Sequence, residues 1–352
     1  MIGATLGRLA RRAYLGTRYV VMPALGHEVM RRRRPQRMLS QWPDGPIPLG
    51  PRVCVFVHWD GAGEVRDHVL HQVSAMADAG VSVMFVTNSG FLRADAVERL
   101  QKVCAGILVR ANVGYDFGAW REGLERLHLP RADTQMVIIA NDSVYGPLWP
   151  LDDVLASMDF SQADVWGCTE SWQSRYHLQS YFMAFSPAVV ASPAWRKFWD
   201  GVRPTWSKNW LIRLYELGLT QTLLRAGFRC RAVWPYPSLA GNIDPELLID
   251  AKESEQNLND PLVQVRRAHA HRLRGAVVQQ TPLNPTSDLW RQLLAARYPF
   301  IKRELLRENP TFVPDVGDWR AAVAEHMQAG PPSPILAAIE RDLQRTLKNR
   351  TP

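Results

Sequence analysis

Between Arg110 and Ser143 the chain passes through a polar, glycine-containing turn (Asn112, Gly114, Asp116) and a helical stretch. It then enters a short apolar run, Met136 to Ala140, that leads directly into Asn141-Asp142-Ser143. An apolar run of that length between polar borders reads as a strand buried on both faces, as in a parallel sheet covered by helices. In such a sheet, ligands collect outside the carboxyl ends of the strands. Asp142 is therefore expected where a nucleotide, a phosphate or a metal ion binds. Its carboxylate suits Mg2+ or Mn2+ held against a diphosphate, because hard cations take oxygen ligands. A plainer reading is that Asn141 and Ser143 cap a helix begun at Pro147.

The same pattern recurs upstream. Val53 to Val57 is apolar and exits through His58-Trp59-Asp60-Gly61, followed by Val65, Val69, Val73 and Met76 at helical spacing and a stop at Gly80. Val81 to Val86 exits through Thr87-Asn88-Ser89-Gly90, Ala94 to Val103 reads as a helix, and Ile107 to Arg110 reads as a third strand. This alternation with short links predicts an α/β fold with a doubly wound, mainly parallel sheet. Beyond Pro147 the pattern changes. Strands are expected at Asp164–Cys168 and Ser180–Phe185, joined by the polar loop Thr169–Gln179, then a helix at Leu211–Ala226 ended by Gly227 and a strand at Arg229–Trp234. A mixed second part of the sheet follows from this. Residues 284–309 read as mostly helical, and Pro331, Pro332 and Pro334 set off a last helix of mixed charge.

The net charge of +8 has a local origin. Residues 1–40 contain nine arginines and one acid, Glu28; removing them from the totals of 42 and 34 leaves 33 basic and 33 acidic residues. A neutral body argues against a broad nucleic-acid surface, so no nucleic-acid partner is expected. In the arm, Leu6, Leu9, Tyr14, Leu15 and Tyr19 to Met22 mix with arginines, and the apolar run broken by Arg18 is too short to span a bilayer. The arm reads as a basic amphipathic segment on an anionic membrane surface, giving a peripheral protein on the cytoplasmic face; the alternative is a disordered basic tail. The expected organisation is an arm at 1–40, a proline-rich linker at 41–51, a catalytic domain at 52–312 and a helical tail at 313–352. The four cysteines lie far apart and read as small buried side chains in a reducing compartment.

Four segments together carry a family resemblance: N-V-G-Y-D-F-G-A-W (112–120), N-D-S-V-Y-G-P-L (141–148), H-L-Q-S-Y-F (177–182) and Y-P-F-I-K-R-E-L-L (298–306). In this order, over roughly residues 53–312, the chain resembles the rhamnan synthesis protein F family, within the nucleotide-diphospho-sugar transferases of GT-A fold. The resemblance implies a glycosyltransferase of bacterial surface-polysaccharide assembly, with dTDP-L-rhamnose the favoured donor and a lipid-linked or polysaccharide acceptor. In the wider inverting group an N-x-G turn precedes a helix, and a strand then delivers a D-x-D motif. Asn112-x-Gly114 and Asn141-Asp142-Ser143 occupy those places, with one carboxylate in the triplet instead of two. A divalent cation on Asp142 is one consequence; replacement of the metal by arginines such as Arg110 or Arg121 is the other.

The resemblance also sets the remaining candidates. Glu216, ahead of Leu219, Leu223 and Gly227, takes the place of the catalytic carboxylate at the start of a late helix, where the helix dipole favours an ionised acid. Inversion requires a base for the acceptor hydroxyl, and Asp164 and Glu170 are rival bases. Donor contacts are expected from His58, Asp60, Asn88, Arg110, Asn112, Gly114, Asp116, Asn141 and Asp142, although strand-end turns carry polar residues in any case. Acceptor contacts are expected from His177, Gln179 and Trp172, whose polarity or aromaticity also suits an ordinary loop or core. Two other functions compete: a non-catalytic sugar-binding or assembly partner that keeps the fold, and a basic-tailed nucleotide-binding protein outside glycan synthesis.

Overall fold

The computed structural model describes residues 38–204, 208–243, 260–327 and 333–348. Nearly all of the basic arm lies outside the described residues, as do 244–259, so the membrane expectation for the arm has no structural counterpart here. Among the described residues no helix is long and apolar enough to cross a membrane.

Each apolar run expected to be a strand is one. They are β2 (Arg52–His58), β3 (Val81–Thr87), β4 (Gly106–Arg110), β5 (Met136–Asn141), β7 (Val165–Ser171), β9 (Phe182–Phe185) and β10 (Cys230–Trp234). Short additional strands are β1 (Met38–Trp42), β6 (Val144–Tyr145), β8 (His177–Leu178) and β11 (Ile301–Lys302). The main sheet runs β1-β4-β3-β2-β5-β9-β7-β10, with β8 paired to β7. β1, β8 and β9 run against their neighbours and the others are parallel, so the fold is α/β on a mixed, mainly parallel sheet. This is the architecture the sequence predicts. β1 moves one boundary: residues 38–42, expected to be the end of the arm and the start of the linker, form an edge strand along β4.

Strand alternation separates two cores. Met136, Ile138 and Ala140 of β5 pack with Cys54, Phe56 and Phe85 against α1 (Asp67–Asp78) and α2 (Ala94–Gln101). Val137 and Ile139 pack with Val55 and Val86 against Phe117 and Trp120 of α3 (Tyr115–Leu127) and against Leu219 and Leu223 of α4 (Leu217–Arg225). The indole N–H of Trp120 donates to the Ala140 carbonyl at 3.0 Å, which pins α3 to the end of β5. Cys54 and Cys168 are buried as small apolar groups, and all four cysteines are unbridged.

The expected boundary at 312 is not a packing boundary. The last helix, α7 (Pro334–Lys348), buries Ile335, Leu336, Ala338 and Ile339 in a third core with Tyr145, Trp290 and Trp319. Its Asp342 accepts from the Tyr145 hydroxyl at 2.5 Å and pairs with Arg66. One apolar helical face is enough to dock the helix, so it is integral to the fold. Two further helices are α5 (Pro261–Gln279) and α6 (Arg303–Arg307). The sequence shows α5 poorly because only Val263, His269 and Leu273 are buried along its 19 residues.

Candidate active site

Asn141 and Asp142 are adjacent at the carboxyl end of β5, so their side chains project toward opposite faces of the sheet. No helix begins at Pro147, which removes the capping interpretation. Instead the Asn141 side-chain amide oxygen, Oδ1, accepts from the Ser143 N–H at 3.1 Å and from its hydroxyl at 2.6 Å, closing a turn into β6. β6 pairs with β11, matching Tyr145 to Ile301 and Val144 to Lys302. Gly146 permits this: a Cβ there would lie 2.4 Å from the Pro299 carbonyl. Two segments more than 150 residues apart are thereby joined, and Arg303 arrives at Asp142.

The Arg303 guanidinium donates to the Asp142 carboxylate at 2.8 Å and to its carbonyl at 2.6 Å, while the Arg303 N–H donates to the Ser143 carbonyl at 3.0 Å. A cleft of about 680 Å³ opens over this pair, bordered by Trp59, Asp60, Arg66, Lys302 and Arg307. Asp60 closes its own turn, accepting from the Ala62 N–H at 2.8 Å, and its other oxygen meets Arg66 at 3.1 Å. His58 is buried and shares a 3.2 Å hydrogen bond with Thr87. Burial lowers its pKa below the usual histidine value, against the opposing pull of Asp142 and Asp60.

The α3 face is built differently. Gly114 begins the helix at φ 85°, a left-handed conformation that L side chains rarely adopt, and a Cβ there would stand 3.2 Å from Pro204. Asp116, in the first turn, accepts from the Asn141 amide at 2.9 Å. Burial, then the negative charge of Asp142, then that of Glu216 push the Asp116 carboxyl up to about 7, against the Asn141 hydrogen bond and Arg110. The three acids therefore share one field around the end of β5. Asn112 is exposed on the turn before the helix.

Glu216 differs from expectation in its local structure. It ends a π-helical segment, Ile212–Glu216, that continues into α4, so it has no free helix N-terminus beside it and the dipole argument does not hold. Single π turns occur often at functional sites. What orients Glu216 is β8 and the residues next to it. Its carboxylate accepts from the Ser180 N–H at 3.3 Å and hydroxyl at 3.2 Å, while Thr220 accepts from the Leu178 N–H at 3.1 Å and Gln221 donates to the Tyr176 carbonyl at 2.9 Å.

Several expected site residues have other partners. Asp164 precedes β7, at the sheet edge opposite Asp142, and is held below the usual carboxylate range by its hydrogen bonds from Arg229. It is too far along the strand to act as the base. Glu170 is buried and accepts from the Tyr236 N–H at 3.0 Å, on the face of β7 that carries Trp166 and Cys168. Arg110 is fully buried: it forms two hydrogen bonds to Glu122, at 2.8 and 3.1 Å, one to the Val113 carbonyl at 2.8 Å, and one to Asn88. Arg121 is held by Glu125 and the Val202 carbonyl. Neither arginine is free to take the place of a metal, and Asn88 is equally committed. Gln179 bonds Thr169 and Asn284, and His177 bonds the Arg175 carbonyl, so both hold the loop internally. Trp172 is exposed, edge-on to Tyr176. Arg303 was missed, although it lies inside the segment Tyr298–Leu306; only the β6–β11 pairing gives it its place.

The family model described as rhamnan synthesis protein F matches residues 83–275, just over half the chain. This chain belongs to the rhamnan synthesis protein F family. A relative in Vibrio anguillarum, virulence protein VirA, is 30% identical over 221 residues, covering 62% of this chain and 67% of that protein. An uncharacterised protein of Sinorhizobium fredii, y4gN, is 29% identical over 189 residues, covering 53% of this chain and 49% of that one. Among solved structures, a Pyrobaculum calidifontis mannosyltransferase in complex with GDP-Man and Mn2+ aligns with a TM-score of 0.30 and 15% identity, covering 95% and 91% of the two chains. Residues 1–349 of S. aureus TarS align with a TM-score of 0.35 and 14% identity, covering 84% and 92%. Scores this low transfer no site residue to the family member described here.

Proposed function

We propose that this member of the family is an inverting glycosyltransferase acting in cell-surface glycan synthesis. It moves a sugar, rhamnose from dTDP-L-rhamnose being favoured, onto a lipid-linked or polysaccharide acceptor. The observation that carries the reading is the split at the end of β5, with Asp142 and Arg303 on one side and Asp116 in the field of Glu216 on the other. In-line displacement needs a base and leaving-group stabilisation on opposite sides of the reacting carbon. The acceptor oxygen attacks the anomeric carbon as the bond to the diphosphate oxygen breaks. Glu216 takes the acceptor proton, and the nucleoside diphosphate leaves with the electron pair toward Arg303.

A divalent ion at Asp142 would have to displace Arg303 and draw its remaining ligands from the diphosphate and water. Among the described residues no three His, Cys, Asp or Glu side chains form a ligand cluster, and Asp142 already engages Arg303. No step is therefore assigned to a metal, and the countercharge is assigned to Arg303 with Lys302 and Arg307 on the same cleft. The same ion pair favours a second reading, a non-catalytic assembly partner in which Arg303 blocks Asp142. A nucleotide-sugar panel separates the two when thermal shift and product formation are both measured, with and without EDTA. Donor stabilisation and turnover that survive EDTA are expected. Stabilisation without turnover on any acceptor would favour the assembly partner, and loss of both in EDTA would restore the metal.

The arm extends the proposal to the cytoplasmic face of the membrane, supported by its nine arginines and interrupted apolar face. Deleting residues 1–37, which leaves β1 intact, should abolish salt-sensitive co-sedimentation with anionic vesicles. Equal sedimentation of the truncated and intact chains would remove the arm as the anchor.

A further inference from the structure

The third core backs the cleft over Asp142 as well as the last helix. Asp342 of α7 is buried, and its two carboxylate oxygens begin two separate routes to that cleft. One oxygen pairs with the guanidinium of Arg66, whose other terminal nitrogen meets Asp60 at 3.1 Å. The other accepts from the Tyr145 hydroxyl at 2.5 Å, and the Arg303 guanidinium lies over the Tyr145 ring, 5.7 Å from its centre. Arg303 in turn holds Asp142 at 2.8 Å. Arg66 and Arg303 both line the cleft and stand within each other's field, so two like charges are kept facing one opening. Arg66 precedes α1, Tyr145 lies in β6 and Arg303 opens α6, so one carboxylate ties three separate segments to α7.

Helix docking does not account for this carboxylate. α7 already buries Ile335, Leu336, Ala338 and Ile339, and a buried ion pair commonly stabilises no more than apolar side chains of the same volume. Asp342 nevertheless stays ionised. Burial raises its pKa, but His68, Tyr145, Arg66 and Arg303 outweigh burial and hold it down to about 2. What a buried carboxylate adds is direction. A guanidinium fixed at one edge presents its remaining N–H donors at set angles. Binding groups are locked into place by supporting hydrogen bonds of this kind. The other acidic contacts of α7 differ: Arg341 pairs with Asp67 and Arg345 with Glu64 at exposed positions, where ion pairs contribute little and orient nothing in the cleft.

We propose that Asp342 is a positioning residue: through Arg66 directly, and through Tyr145 to Arg303, it aims the two cleft arginines at a diphosphate. That the diphosphate belongs to a sugar donor rests on the glycosyltransferase reading; its capture by the aimed arginines does not. The test titrates the full chain with inorganic pyrophosphate in a calorimeter, and the sign of the change decides. If Asp342 acted by its charge alone, Asp342→Asn would remove a negative charge behind the cleft and pyrophosphate would bind more tightly. A positioning role predicts the opposite, a weakening of about tenfold, the scale of one charge-assisted hydrogen bond. Asp342→Leu/Tyr145→Phe replaces the carboxylate and the hydroxyl it satisfies together, and Arg66 keeps Asp60. That variant should hold the wild-type melting temperature and show the same loss of affinity. Asp342→Asn combined with Arg303→Gln should cost less affinity than the two single changes added, since both remove one alignment. Arg341→Gln, on the same helix, should leave affinity unchanged. Unchanged or tighter binding by Asp342→Asn would overturn the proposal, as would strict additivity with Arg303→Gln. An equal loss in Arg341→Gln, or a loss seen only where the melting temperature collapses, would make Asp342 architectural. A wild type that binds no pyrophosphate would remove the proposal together with the cleft. Asp342-dependent binding in a chain that transfers no sugar would sink the enzymatic reading and leave this one standing.

Discussion

Arg110 and Arg303 lie at the same edge of the sheet, each paired with a carboxylate, yet they do different work. Arg110 sits on the α3 face with no exposed surface, its donors committed to Glu122, Asn88 and the Val113 carbonyl. Arg303 sits on the α1 face at the mouth of a cleft, where its one carboxylate partner, Asp142, is itself a candidate ligand-binding group. The first is a structural bond that orients the turn before α3. The second pair can open toward a ligand, because an incoming diphosphate offers Arg303 oxygens equivalent to those it leaves. Being paired does not separate an architectural arginine from a functional one; what the pair faces does.

The comparison breaks most visibly at Glu216. If proton transfer belongs to the α3 face, Glu216→Gln should lower turnover by about two to four orders of magnitude with donor affinity unchanged. The same change at Glu170 should do little, because its carboxylate serves the Tyr236 N–H. Near-normal turnover in the Glu216 variant, with loss in the Glu170 variant, would move the base to the other face of β7.

The arginines give the next contrast. Arg303→Ala should cut turnover by about two to three orders of magnitude, the usual loss for one transition-state charge donor, while the melting temperature changes little. Arg110→Ala should cost about 3–5 kcal/mol of stability, since it leaves Glu122 and Asn88 without their shared partner. Denaturant titrations and single-turnover rates on the two variants decide the matter. A stability loss at Arg303 as large as that at Arg110 would make both arginines architectural.

These contrasts also mark how far the sequence could be read. Strands buried on both faces are legible because period and composition agree, so β2 to β5 and the parallel sheet follow from Val53–Val57, Val81–Val86 and Met136–Ala140. Asp142 was legible because a strand end is a local feature. Arg303 was not, because its place beside Asp142 depends on β6 pairing with β11 across more than 150 residues, and two-residue strands leave no period to detect. Arg110 misled for the opposite reason. Its position beside the turn was read correctly, but burial against Glu122, about two turns along α3, depends on packing.

The smallest expected effect is a pH dependence at Asp116, and it tests whether the α3 face really is the one that holds a proton. The Asp116 carboxyl titrates at about 7 in the folded chain, against 3.8 for an unperturbed aspartate, chiefly because burial disfavours its charge. Between those values the native state keeps a proton that the unfolded chain has released. Protonated Asp116 thus favours the native state toward the lower end of that window, and its contribution is lost as pH rises through about 7. Asp116→Asn keeps the shape and cannot ionise. Urea midpoints taken at intervals between pH 5 and pH 8 should therefore fall with pH more steeply for the wild type than for the variant. The difference in slope should stay below about 1.4 kcal/mol per pH unit, the limit for a single proton. Parallel curves would mean that Asp116 is ionised throughout, and that the field of Asp142 and Glu216 is relieved by solvent instead of by a bound proton.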